Sequence, residues 1–200
     1  MTAFRRYGDA GQAFPIYITV VGGLLFLAFA YFAVGQAAAN RSDAQTAADA
    51  AALAAAQDRR DQLADAWGQA LLDPTEWQDI FEGRAQGLGQ SCWRAEQLAA
   101  QNDATVLTCA PEGLLGYTVE VETNDTVGDS IVPGTEDERS QEAATAVIEP
   151  RCTFSLLGWE AGGDTLPLLN CEGDEWELDP KGPKDLLPKP QDLFDVHLAD

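Results

Sequence analysis

The sequence predicts an α+β fold, with one long N-terminal transmembrane and stalk helix followed by a small disulfide-bonded head of short helices and antiparallel strands. Three observations carry this expectation. Residues 10–40 contain no charged side chain. Beyond Cys109 the apolar residues change from a helical to an alternating period. All four cysteines, Cys92, Cys109, Cys152 and Cys171, lie after the apolar segment.

The apolar segment decides the first element. Residues 14–39 read FPIYITVVGGLLFLAFAYFAVGQAAA. A helix rising ~1.5 Å per residue crosses a hydrocarbon core of ~30 Å in about 20 residues, so this stretch is long enough to span. A cleaved secretory signal is the alternative, and Gly35, Ala37 and Ala39 offer small residues for a peptidase. Signal peptides have an apolar region of only about 7 to 15 residues, which favours a retained anchor. Arg5 and Arg6 precede the span and are not followed by the hydrophobic continuation of a twin-arginine signal, so they read as topology charges. By the positive-inside bias they place the N-terminus in the cytoplasm and everything after residue 40 outside.

Composition removes whole classes of function. The 200 residues carry 12 basic against 33 acidic side chains, a formal charge of −21. Nucleic-acid binding needs clustered cations to neutralise phosphates, and after Arg60 the basic residues are single and far apart except for three lysines in the tail, so that class is excluded. At 46% hydrophobic the chain is nonetheless too apolar for a disordered one. Ahead of Asn40 the net charge is +1, from Arg5 and Arg6 against Asp9, so the remainder carries −22.

Residues 36–66 contain no proline or glycine and are dominated by alanine, the strongest helix former. One helix is therefore expected from about 13 to 72, its second part projecting as a stalk. Ala44, Ala47, Ala48, Ala51 and Ala55 form a small-residue stripe suited to close approach of a partner helix; Leu63, Trp67 and Leu71 suit packing under a head. The competing reading is that the alanines reflect helix propensity alone. Asp73-Pro74 then begins a short helix over 74–82, with Trp77, Ile80 and Phe81 inward and Gly83 as its stop. A further helix is expected over 91–101 and a strand over 104–109.

Tyr117, Val119, Val121 and Thr123 alternate with polar residues, as in a strand with one buried face, and residues 140–149 read as its partner. The segment from Cys152 to Cys171 reads as a second hairpin, with Gly162-Gly163 at its turn. The division expected is a leader (1–12), a transmembrane helix (13–40), a stalk (41–72), a head (73–172) and an acidic, proline-containing arm (173–200). Residues 193–198 could add an edge strand.

No CxxC occurs and no histidine neighbours a cysteine, which removes thioredoxin-like and zinc readings. An even cysteine count in an exported domain favours disulfides over buried free thiols. Of three connectivities the local one, Cys92 with Cys109 and Cys152 with Cys171, is preferred because each pair brackets one compact unit. The chain is not expected to be an enzyme. Its one histidine, His197, lies near the C-terminus with no nucleophile motif before it. Asn124, Asp125 and Asp129 around Gly128 suggest a calcium loop but lack its alternating acids and terminal glutamate. No catalytic, cofactor or metal residues are assigned, and no small-molecule substrate is identified.

Taken together, the Arg-containing leader, Gly11-Gln12 before the span and the run AQTAADAAALA at residues 44–54 resemble the N-terminal region of TadE/TadG-like proteins of the Flp (tight adherence) pilus system. In that family a glycine precedes a single span and an LQ-x-AADAAALA motif follows it; Ala44 stands here where leucine is common. Members processed by a prepilin peptidase carry glutamate five residues after the glycine. That position is Ile16, so Gly11 is a doubtful processing site and the uncleaved TadG-like side is favoured. Residues 132–136 and 146–152 resemble actinobacterial TadG-related proteins, a looser match. The resemblance implies a structural, single-pass cell-membrane component whose partners are the membrane and other single-span pilus-assembly proteins. The alternative is a tethered extracytoplasmic module binding an envelope ligand or cation.

Overall fold

A computed structural model describes residues 13–126, 137–156, 166–179, 181–183 and 186–199. The leader with Arg5, Arg6 and Gly11, the Gly128–Asp129 part of the calcium-like loop and the Gly162-Gly163 turn lie outside the described residues.

The alanine-rich chemistry after the apolar segment offers nothing to break a helix, and α1 runs without interruption over Ala13–Gln69. Its 57 residues extend about 85 Å. After it come α2 (Trp77–Phe81), α3 (Cys92–Gln101), β1 (Ala104–Pro111), β2 (Gly116–Thr123), β3 (Gln141–Pro150), β4 (Cys152–Phe154), β5 (Leu169–Cys171), β6 (Asp174–Trp176), α4 (Pro190–Leu193) and β7 (Phe194–Leu198). The α+β class expected from the sequence is the observed one. Helix α2 starts later than expected because the Asp73 carboxylate accepts from the backbone N–H and the hydroxyl of Thr75, closing a local turn instead of capping a helix at 74. Gly83 does end it, with φ +81 and the Leu114 carbonyl 2.9 Å from where a Cβ would sit, a place only glycine can fill.

Strands β1, β2, β3 and β7 form one antiparallel sheet in that order, and β4, β5 and β6 form a second, smaller one. Alternation along β2 puts Tyr117, Val119, Val121 and Thr123 on the buried face and Thr118, Glu120 and Glu122 on the other. From β3 the buried face receives Ala144, Ala146 and Ile148. That face lies on α1, whose other flank is covered by α3. Part of the predicted C-terminal arm is thus structured. Residues 194–198 complete the sheet edge against β3, and 174–176 pair with β5.

An aromatic cluster closes the far end of the head. Trp77 lies 5.5 Å from Trp67 and 5.3 Å from Phe154, and Phe81 lies 6.0 Å from Phe154 and 5.4 Å from Phe194. It joins α1, α2, β4 and β7, so the second sheet and the C-terminal strand are fastened to the same core. Two disulfides, Cys92–Cys109 and Cys152–Cys171, tie α3 to β1 and β4 to β5.

One expectation needs correcting. The alanine segment is not a projecting stalk. Ala44, Ala47, Ala48, Ala51 and Ala55 are all fully buried, as are Ala52 and Ala56 between the sheet and α3. A helix covered on nearly every side must be apolar all round, and only side chains as small as alanine let a sheet and a helix both approach it closely. The head therefore begins at about residue 40, not 73.

Candidate functional site

Helix α1 is two helices chemically. From Phe14 to Ala39 no residue is buried, and the exposed side chains are apolar: Phe14 is 70% exposed, Leu24 62%, Phe29 59% and Val34 71%. An exposed apolar face of this size belongs against lipid or another protein, not water. Helix α1 is the one helix among the described residues that is long and apolar enough to cross a membrane, with a mean hydropathy of 2.2 over an 18-residue window. The Thr19 hydroxyl is turned back onto the carbonyls of Pro15 and Ile16 at 2.9 Å each, so it is satisfied within the helix.

The change of environment is abrupt and occurs at Asn40, the first buried residue from Phe14 onward. Asn40 Nδ2 donates to the Asp125 carbonyl at 3.2 Å, and its Oδ1 lies 3.2 Å from the Thr123 hydroxyl. The same hydroxyl is 2.9 Å from the Asp125 carbonyl and accepts from the Ser140 N–H at 3.2 Å. One residue on, Arg41 pairs with Glu142 at 2.7 Å. Further out, a guanidinium nitrogen of Arg59 donates to the Tyr117 hydroxyl at 3.2 Å, and the Arg59 side chain lies 5.9 Å from that ring. Thus β2 runs antiparallel to α1, with Tyr117 far from the apolar half and Thr123 beside it.

Two recesses open on the head. A groove of about 610 Å³ lies between the end of α1, α2 and the loop 84–88, with Ile80, Ala66 and Leu88 among its apolar lining and Asp65, Glu76 and Asp79 among its acids. Arg84 is held by Asp79 at 2.7 Å and by Glu82. Hydrogen bonding from Gln78 first, then from Arg84, holds the Glu82 carboxyl below its ordinary range, and the two carboxylates hold Arg84 above its own. A smaller recess of about 330 Å³ sits at the Asn40 end, lined by Asp43, Asp103 and Asp125 among others. The cysteines are all in disulfides and His197 lies exposed on β7, its Nδ1 3.1 Å from Asp195. Among the described residues no group of histidine, cysteine, aspartate or glutamate could hold a metal ion.

Residues 11–58 match the model of a family described as Putative Flp pilus-assembly TadE/G-like. None of the curated proteins and none of the solved structures compared matches the chain. The family match runs across the junction at Asn40, taking in both the exposed apolar half of α1 and most of its buried alanine half. The stripe singled out in the sequence as a surface for partner helices is, in this fold, occupied by the chain's own sheet and α3. What sequence reasoning missed is the polar junction itself. An asparagine at the end of the apolar stretch, together with a threonine on the buried face of β2, was the available signal.

Proposed function

We propose that the chain is a single-span membrane-anchored, pilin-like or accessory component of a Flp/Tad-type pilus assembly system, structural and not catalytic. The observation that carries this reading is the coincidence of the family match at residues 11–58 with a helix whose first part is exposed and apolar and whose second part is the core of a head. The charges Arg5 and Arg6 support a cytoplasmic N-terminus and an extracytoplasmic, acidic head. Ile16 in place of the family's glutamate supports the uncleaved, TadG-like role. Because Ala44 to Ala55 are covered within the chain, association with other single-span proteins runs through residues 14–39, where Gly22, Gly23 and Gly35 have open space around them. The test is co-purification with the other pilus components from the native membrane. Gly22→Leu with Gly23→Leu should remove the partners while the head stays folded; retention of every partner would refute the association through the span.

The groove beside α2, acidic and with apolar lining, supports a second reading as a tethered binding module for a cell-envelope ligand or cation. It predicts that the soluble head binds such a ligand, and that Asp79→Ala weakens the binding. A soluble head for that measurement has to begin near Asn40, since its central helix starts there.

A further inference from the structure

We infer that the end of the head around Asn40, Asp103 and Asp125 is a lipid-contact surface, seated in the headgroup layer of the membrane that α1 crosses. This rests on the reading of residues 14–39 as a membrane span. No residue between 14 and 39 is buried by the chain, and Asn40 is. From Val34, the last large apolar residue of the exposed stretch, Asn40 lies six positions on, or about 9 Å along the helix. The headgroup region adds about 5 to 8 Å outside each face of the hydrocarbon core. A head that begins at Asn40 therefore has no room for a spacer between itself and the lipid.

The direction of the strands fixes which end is down. Thr123 stands beside Asn40 while Tyr117 stands beside Arg59, so β2 descends toward the lipid and β3 rises from it with Glu142 at the level of Arg41. The turn after α3 comes to the same level, because the Asn124 N–H donates to the Asp103 carbonyl at 2.8 Å. The hairpin between β1 and β2, which holds Glu112, is at the opposite end. Since α1 is continuous through the junction, no hinge separates span from head, and the lowered end stays presented to the lipid.

The chemistry of that end selects the headgroup. Asp103 and Asp125 are exposed there, and Arg41 and Arg139 are both engaged by carboxylates, Glu142 and Glu122. A surface with exposed carboxylates and its arginines already paired fits the outward ammonium of a zwitterionic lipid and is repelled by an anionic one.

The experiment uses the full chain in vesicles of phosphatidylcholine and phosphatidylethanolamine, with a fluorophore attached in turn at Asp125→Cys, Glu112→Cys and Leu27→Cys. A nitroxide on the lipid headgroup should quench the label at 125 severalfold more than that at 112, and a nitroxide in the acyl chain should quench the label at 27. Equal, weak quenching at 125 and 112 with strong quenching at 27 would overturn the seating while leaving the span intact. Weak quenching at 27 would instead remove the span, and the inference with it. Exchanging the lipids for phosphatidylglycerol at low salt should reduce quenching at 125, and no reduction would overturn the assignment of the headgroup.

Discussion

The Thr123 hydroxyl lies 3.2 Å from Asn40 Oδ1, a buried polar contact between residues 83 positions apart. It joins the last residue of β2 to the point where α1 enters the head, and Asn40 also donates to the Asp125 carbonyl. Removing one side of a buried hydrogen-bonded pair costs about 1–3 kcal/mol, because the partner is left unsatisfied. Asn40→Ala should therefore lower the thermal midpoint of the detergent-solubilised protein by about 2–4 °C for each kcal/mol lost. An unchanged midpoint would show that water replaces the amide without cost and that the junction is not buried as described.

Ala51 is fully buried in the part of α1 enclosed by the sheet and α3. Adding three carbons there forces the layers apart, and overpacking of a filled core typically costs about 1–3 kcal/mol. Ala51→Leu should destabilise the purified protein with no partner present, visible in a denaturant titration as an earlier midpoint. If the stripe served only another chain's helix, the isolated protein would be unaffected and only its association would suffer.

The fold class was legible because it rests on patterns that survive tertiary packing. The uncharged run before Asn40 reflects an exposed apolar surface, and the alternations from Tyr117 to Thr123 and over 140–149 reflect a one-sided burial; the sequence writes both directly. The role of the alanines was not legible. Alanine is at once the best helix former and the smallest apolar residue, so the same run serves an exposed stalk, a helix dimer or a central core helix. What separates these is the partner that covers Ala44 to Ala55, and that partner is β2, β3 and α3, far along the chain. The polar junction was hidden for a related reason, since Asn40 and Thr123 become a pair only once the register of sheet on helix is fixed.

The same geometry decides where the chain can be cut. Residues 73–200 lack Ala47, Ala51, Ala55, Leu63 and Trp67, all of which are in the core. A sheet without the helix that covers its apolar face exposes Tyr117, Val119, Val121 and Ile148 to water. A fragment of residues 73–200 should show no cooperative unfolding transition and should aggregate, whereas one of 40–200 should be soluble and unfold cooperatively. A cooperative transition in the shorter fragment would contradict the placement of α1 inside the head.

The two disulfides close loops of nearly equal length, with separations of 17 and 19 residues. Chain entropy alone therefore assigns each about 3 kcal/mol, and any contrast between them reports what each holds. Cys92–Cys109 fastens α3, which covers one flank of α1, to strand β1 of the main sheet. Cys152–Cys171 joins directly opposed residues of β4 and β5, in a sheet whose strands have three residues each. Strands that short are not stable by themselves, so the second bond keeps the small sheet paired. Replacing Cys92 and Cys109 by alanine should lower protection from hydrogen exchange throughout α1, α3 and the main sheet. Replacing Cys152 and Cys171 should release mainly residues 152–154 and 169–176, with Val119 and Val121 still protected. Equal loss everywhere from the second pair would mean that the small sheet and the main core unfold as one cooperative unit.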